Sequence, residues 1–355
     1  MSFMQYDGKF FMQTERGAYN MRSVQYLSPN NICLVEAPIP EIPAGWARIK
    51  VSRVGICGGD LGIYSGTHPR ARPPLIPGHE FSGVLDTDAV TLKKGTPVTV
   101  FPLISCGKCT PCLTGDAHVC NILGLYGFDE AGAMADYVVV PQECLIKLPD
   151  GISFEIGALI EPIAVAVHSV RETNFLPGDK ALIFGAGPIG LCIALVLRQF
   201  GAREIVVVDN DLFRLGMAAE MGFETVDPDA SDIIDYVMHK TDGDGYDRVY
   251  DCAGVPAVAA CLFDVTKVRG QIVIVAGYKK PAELQLFKGM IREVKVEFVR
   301  VYRKIDFEIA AAISEKEALF GKIITHVLPL EKAQEGFDLL FTKGSGAVKV
   351  MYSLD

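Results

Sequence analysis

No stretch of this 355-residue sequence stays apolar long enough to cross a bilayer as a helix. Lysine and arginine never gather into a run, and 34 basic against 43 acidic residues leave a formal charge of −9. That balance argues against a nucleic-acid partner, because phosphate binding needs a basic patch. Low-complexity tracts and internal repeats are missing too. The opening segment, MSFMQYDGKFFMQTERGAYN, lacks the apolar core of a secretory signal. A cytoplasmic location with no membrane partner is therefore expected. These first twenty residues carry no motif, and Met21 is an alternative start. What remains is a globular chain, half hydrophobic and long enough for two domains.

Four of the ten cysteines lie together as Cys106, Cys109, Cys112 and Cys120, spaced C-x2-C-x2-C-x7-C. In a chain without an export signal this clustering reads as metal ligation; the competing reading is two local disulfides in a secreted protein. Four thiolates suit zinc, which favours soft tetrahedral ligands. A closed sulfur site has no open position for a substrate, so this zinc is structural and the chemistry lies elsewhere.

The chain changes texture twice. Up to Ser169 it is rich in Pro and Gly, with short β-type runs such as WARIKVSRVGIC and TPVTVFPL, and predicts a β-rich, loop-heavy domain. From Val170 to Val301 apolar runs (ALIFG, EIVVVD, DRVYDC, QIVIVAG) alternate with helical stretches at Ile189–Phe200, Leu212–Met221, Ile233–Lys240 and Ala257–Val268. This is a βαβ series and predicts a doubly wound α/β domain. From Tyr302 onward, one helix and a few strands are expected to pack back on the first domain. The predicted division is thus 1–169 with 302–355, and 170–301.

Within the α/β region, Gly185, Gly187 and Gly190 follow an apolar strand and open a helix, with Pro188 and Ile189 between the last two. A second strand ends at Asp209, nineteen residues beyond Gly190. A strand, a glycine turn, a helix and a distant carboxylate form the context of a dinucleotide site. The helix N-terminus offers free N–H groups to the pyrophosphate. Asp209 can accept bonds from both ribose hydroxyls and would repel a 2′-phosphate, so NAD is expected over NADP. The plainer reading of Asp209 is a strand-ending carboxylate. Arg214 is left open between covering the adenine and forming a surface ion pair.

Cys57 in GICGGD, His79 and Glu80 in PGHE, and Glu161 in LIEP are the residue types that hold a second metal with a position left for substrate. Their spacing alone is weak support. As an ordered set, however, GICGGD, PGHEFSG, the four-cysteine segment, EPIAVAVHSV, FGAGPIG, EIVVVD and ITHVLPLEKAQEGFDLL resemble the zinc-dependent medium-chain dehydrogenases, in their polyol (sorbitol-type) and threonine dehydrogenase branch. The resemblance spans nearly all the chain from Met21. It implies a GroES-like catalytic domain carrying a structural zinc lobe over about residues 104–122, a Rossmann domain, and an active site between them. It implies Cys57, His79 and Glu80 as catalytic-zinc ligands and Glu161 as a ligand directly or through water. Asp60 is then the carboxylate that orients the ligand imidazole. Two zincs per chain, NAD and a homodimer or homotetramer complete the picture.

One departure stands out. The family usually places Ser or Thr two residues after the first zinc cysteine, and polyol relatives often have histidine five residues after it; here these positions are Gly59 and Gly62. A water, Tyr64, a glutamate or a neighbouring hydroxyl of the substrate is left to relay the proton, and Gly59→Ser is expected to restore a relay. The expected reaction is hydride transfer from a secondary alcohol of a sugar alcohol, cyclitol or related polyol to NAD. The alternatives are an L-threonine-type amino-alcohol dehydrogenase and, from another class, a non-catalytic NAD-binding scaffold or sensor.

Overall fold

The computed structural model describes residues 20–355, together with the backbone of two short antiparallel strands, Phe3–Tyr6 and Lys9–Met12. The remaining residues before Asn20, and with them most of the segment upstream of Met21, lie outside the described residues. The chain forms two compact units: residues 1–161 with 324–355, and residues 162–323. The breaks therefore fall eight residues before and 22 residues after the expected positions of 169/170 and 301/302.

The first break has a local cause. An 18-residue helix, Phe154–Arg171, occupies a region expected to be β-rich, and Pro162 sits in its middle. Proline supplies no N–H, so the helix loses one internal bond at the position where the units divide. The second break arises because the tail holds two helices, not one. Lys304–Ser314 belongs to the second unit and Ala333–Phe341 to the first.

The first unit is built on a mainly antiparallel sheet with the order Leu145–Lys147, Pro97–Val100, Glu80–Leu85, Trp46–Gly55, Lys349–Ser353, Ile324–Pro329. Tyr137–Pro141 also pairs with Trp46–Gly55. The long central strand alternates and then bulges between Val51 and Arg53. Its inward residues Ala47, Ile49, Val51 and Val54 are buried in a core with Phe81, Val98, Val100 and Tyr352. The strand delivers Gly55 opposite Glu80 on one side and opposite Met351 on the other. Three segments far apart in sequence thus end at one place.

The second unit is a six-stranded parallel sheet ordered Glu224–Val226, Glu204–Val208, Lys180–Phe184, Tyr246–Asp251, Thr266–Ile274, Lys295–Phe298. The four apolar runs seen in the sequence form its four central strands, and the expected helices lie at Pro188–Gln199, Leu212–Glu220, Ile233–Lys240 and Pro256–Val265. Both edge strands escaped the pattern because they are short and half-exposed, without the continuous apolar run that marks a buried parallel strand. The strand order reverses at Lys180–Phe184, and the glycine turn follows that strand, where open α/β sheets bind their ligands. No helix among the described residues is long and apolar enough to cross a membrane.

Candidate active site

The first cluster begins at a helix cap. The short helix Gly58–Tyr64 starts at Cys57, whose Sγ accepts the Gly59 N–H at 3.4 Å. Asp60 returns the favour: its Oδ2 accepts the Cys57 N–H at 2.9 Å. Capping fixes both side chains before any metal is considered. His79 and Glu80, at the start of the strand Glu80–Leu85, bring their ligand atoms within 4.8 Å of one another and of the Cys57 sulfur. Glu161 does not join that trio. It is buried nearby, and its charge acts on His79 and on Lys349.

The chemistry of this trio fits a metal ion. His79 Nδ1 lies 3.8 Å from Asp60 Oδ1, and both atoms are buried without a hydrogen bond. Asp60 thus stands on the Nδ1 side of the ring, which leaves Nε2 for the metal. Burial opposes charge on the imidazole, but Asp60, Cys57 and Glu161 outweigh it and push the His79 pKa up to about 10. Burial also raises the Cys57 thiol, and His79 only partly offsets this. A cluster so protonated must release protons when a cation binds, so its metal affinity rises with pH.

Lys349, which belongs to no motif, completes the site. It is 2% exposed, forms an ion pair with Glu80, and donates to the Ile56 carbonyl at 3.1 Å. Burial works against its charge, but Glu80, Cys57 and Glu161 more than compensate, and its pKa is raised. Glu80 therefore has an internal counter-charge. No sequence signal marks Lys349, because a lysine on an alternating strand looks like a solvent-facing residue.

Phe128 also escaped notice. A Cβ at Gly59 would stand 2.7 Å from Phe128 Cζ, so the ring crowds the start of any side chain at that position. Restoring a relay with Gly59→Ser therefore requires the Phe128 ring to shift. Gly62 has ordinary room, with His68 Cβ at 3.7 Å. Tyr64 is no free relay either: its hydroxyl accepts from Gln334 Nε2 at 2.5 Å and lies 3.1 Å from Asp338 Oδ1, both on the helix Ala333–Phe341.

The four-cysteine lobe is complete. Sulfur–sulfur distances are 3.4 Å for Cys109–Cys112, 3.7 Å for Cys109–Cys120 and 3.9 Å for Cys106–Cys112. A tetrahedron with metal–sulfur bonds of about 2.3 Å has an edge of about 3.8 Å, so the quartet fits zinc. The described cysteines form no disulfide. The backbone N–H groups of Asn121 and Cys112 hold the Cys109 thiol down at about 6, which favours the thiolate that a metal requires.

In the second unit the glycine turn meets each steric demand. Gly185 has φ +103°, a conformation that favours glycine. A Cβ on Gly190 would run into the Gly185 carbonyl, and one on Gly187 would meet nothing, leaving open space in front of the helix that starts at Pro188. Asp209 accepts from Ala186 N at 2.7 Å and from Asp211 N at 2.9 Å, which ties it to the turn. Arg214 lies 3.9 Å from Asp211 in a loose, partly exposed ion pair.

A sulfur-ligated lobe, a second cluster of thiol, imidazole and carboxylate, and a Rossmann unit define a metal-binding, dinucleotide-using oxidoreductase. Comparison with known proteins narrows this. Residues 43–150 match the alcohol dehydrogenase GroES-like domain, and residues 188–316 match the zinc-binding dehydrogenase domain. The chain is 35% identical over 324 residues to 2-dehydro-3-deoxy-L-galactonate 5-dehydrogenase of Pseudoalteromonas atlantica, covering 89% of this chain and 94% of that protein. It is 33% identical to L-threonine 3-dehydrogenase of Bacillus subtilis, covering 89% and 93%. The crystal structure of 2R,3R-butanediol dehydrogenase from Bacillus subtilis superposes with a TM-score of 0.88 at 30% identity, over 94% of this chain and all of that one. The chain belongs to the zinc-dependent medium-chain dehydrogenases.

Proposed function

We propose that this chain oxidises a secondary alcohol of a polyol, cyclitol or related sugar derivative with NAD, using one catalytic and one structural zinc. The convergence of Cys57, His79 and Glu80 around an orphaned Asp60–His79 pair carries this reading. Held by that trio, zinc would supply a Lewis acid that lowers the pKa of a substrate hydroxyl, and NAD would supply the hydride acceptor. The chain's own residues do the rest. Asp60 orients His79, Lys349 neutralises Glu80, and Phe128 closes the space above Gly59. Without a hydroxyl or imidazole at 59 and 62, the substrate proton leaves through water or a neighbouring substrate hydroxyl. The Gly187–Gly190 turn and the helix amides behind it would hold the pyrophosphate, and Asp209 would accept from the ribose. The first test is turnover of a panel of polyols and hydroxy acids with either cofactor; stoichiometric zinc without turnover on any would favour a scaffold or sensor.

NAD is preferred over NADP by well over tenfold in kcat/KM, because a carboxylate facing a phosphate costs at least about 1.4 kcal/mol in a partly buried site. Measuring kcat/KM for both cofactors in wild type and Asp209→Ala checks this. Equal use of the two by wild type, or an unchanged ratio in the variant, sinks the assignment.

The chain associates as a homodimer or homotetramer. Leu286, Phe287 and Met290 on the helix Leu286–Ile291, and Phe298 at the end of the edge strand Lys295–Phe298, are large and exposed. Antiparallel pairing of two such strands about Val296 sets Lys295 of each copy opposite Glu297 of the other, a complementary isologous contact. Light scattering should give an oligomer for wild type and a smaller species for Phe298→Glu; a wild-type monomer rules the association out.

A further inference from the structure

A cavity of about 420 Å³ in the first unit has walls that include Gln25, Arg70, Arg72, Leu75, Phe128 and Asp129. That volume lies in the range of small-ligand sites, roughly 300–1,000 Å³. Phe128 connects it to the metal cluster: its ring packs edge-on to His79 with centroids 5.0 Å apart. A molecule in the cavity would therefore rest against the same ring as the ligand imidazole. One wall is apolar and suits the C–H face of a carbon chain. The buried Gln25 contributes an amide for hydroxyl groups.

The two arginines differ. Arg70 is committed: it donates to the Leu123 carbonyl and lies 3.3 Å from Asp129 Oδ2, an oxygen that also accepts the Leu125 N–H at 2.9 Å. Arg72 donates Nη1 to the carbonyls of Pro69 and Ala71, both at 2.9 Å. Those bonds steady the guanidinium, yet no carboxylate among the described residues pairs with it, and Glu130, the other acidic residue of the cavity wall, forms no ion pair with either arginine. A steadied, exposed cation with unused donors on the wall of a cavity is suited to an incoming anion. Guanidinium matches carboxylate as a fork.

We propose that Arg72 receives the carboxylate of the substrate, which is a hydroxy acid and not a neutral polyol. The proposal rests on the dehydrogenase reading above and narrows it. Drawing the carboxylate to Arg72 selects which hydroxyl comes to lie beside Phe128 and the Cys57–His79–Glu80 trio, so Arg72 is a specificity-determining residue that takes no part in hydride transfer.

Kinetics on the zinc-loaded enzyme with matched pairs test this: a six-carbon aldonate against the corresponding alditol, and L-threonine against butane-2,3-diol. One acid should exceed its neutral partner by more than about tenfold in kcat/KM, the range of a charge-assisted pair. Arg72→Gln should erase that advantage by raising KM for the acid about tenfold or more. It should move kcat less than threefold and leave the neutral partner unchanged. The acid that wins separates a sugar acid from an amino acid as the source of the carboxylate. Wild-type preference for the neutral partners, or equal losses on acid and neutral substrates in Arg72→Gln, overturns the proposal while leaving the dehydrogenase reading intact. If none of the four is oxidised with either cofactor, the dehydrogenase reading fails instead. Calorimetric titration of the same acids into wild type and Arg72→Gln then decides the site: weaker binding to the variant supports it, and equal or no binding overturns it.

Discussion

His79→Ala should remove turnover, by roughly 10³-fold or more, and one of two zincs, while nucleotide binding survives. A Lewis acid contributes several kcal/mol at the reacting oxygen, and each 1.4 kcal/mol is a factor of ten in rate. The residues proposed to hold the nucleotide, Gly185 to Gly190 and Asp209, belong to the other compact unit. Cys106→Ser is the companion. It should also lose one zinc but keep the Cys57–His79–Glu80 metal, and its penalty should appear in thermal stability, since closed structural sites contribute folding free energy directly. Metal analysis, turnover and nucleotide titration on the two variants give a crossed pattern. Full activity in His79→Ala, or two zincs retained in Cys106→Ser, breaks the assignment of the corresponding site.

Lys349→Met should be among the most damaging single changes for folding. Both members of the Lys349–Glu80 pair are 2% exposed, and removing one partner of a buried pair costs about 3–5 kcal/mol because the other charge is stranded. Urea unfolding in the presence of a chelator should show that loss. Added zinc should return a large part of it, because the metal then neutralises Glu80, and Lys349→Met combined with Glu80→Gln should be more stable than Lys349→Met alone. A chelated loss below about 1 kcal/mol, typical of a surface pair, would mean that Glu80 does not depend on Lys349.

What the sequence disclosed follows from how local each feature is. The sulfur lobe and the glycine turn are contiguous, and each residue's purpose is set by its neighbours within a few positions. The four central parallel strands were readable because burial on both faces makes them continuously apolar. The trio of Cys57, His79 and Glu80 stood out only as part of an ordered family pattern, because a lone thiol or imidazole has no periodic signature. Lys349 and Phe128 were silent. Their meaning comes from side chains brought together across long separations: a lysine 269 residues from its glutamate, or a phenyl ring that occupies the room beside Gly59. The helix Phe154–Arg171 was hidden differently, because Pro162 within it reads as a breaker while the flanking apolar residues outvote it.

The path of the backbone also sets an order in time. Cys57, His79 and Glu80 leave the ribosome long before the strand Lys349–Ser353, which inserts beside Trp46–Gly55. Through most of synthesis Glu80 has no internal cation, and the central strand has one side unpaired. A chain cut short before residue 349 carries both defects. The final strand thus works as a late keystone: a truncated product has Cys57, His79 and Glu80 but not the setting that makes their burial tolerable.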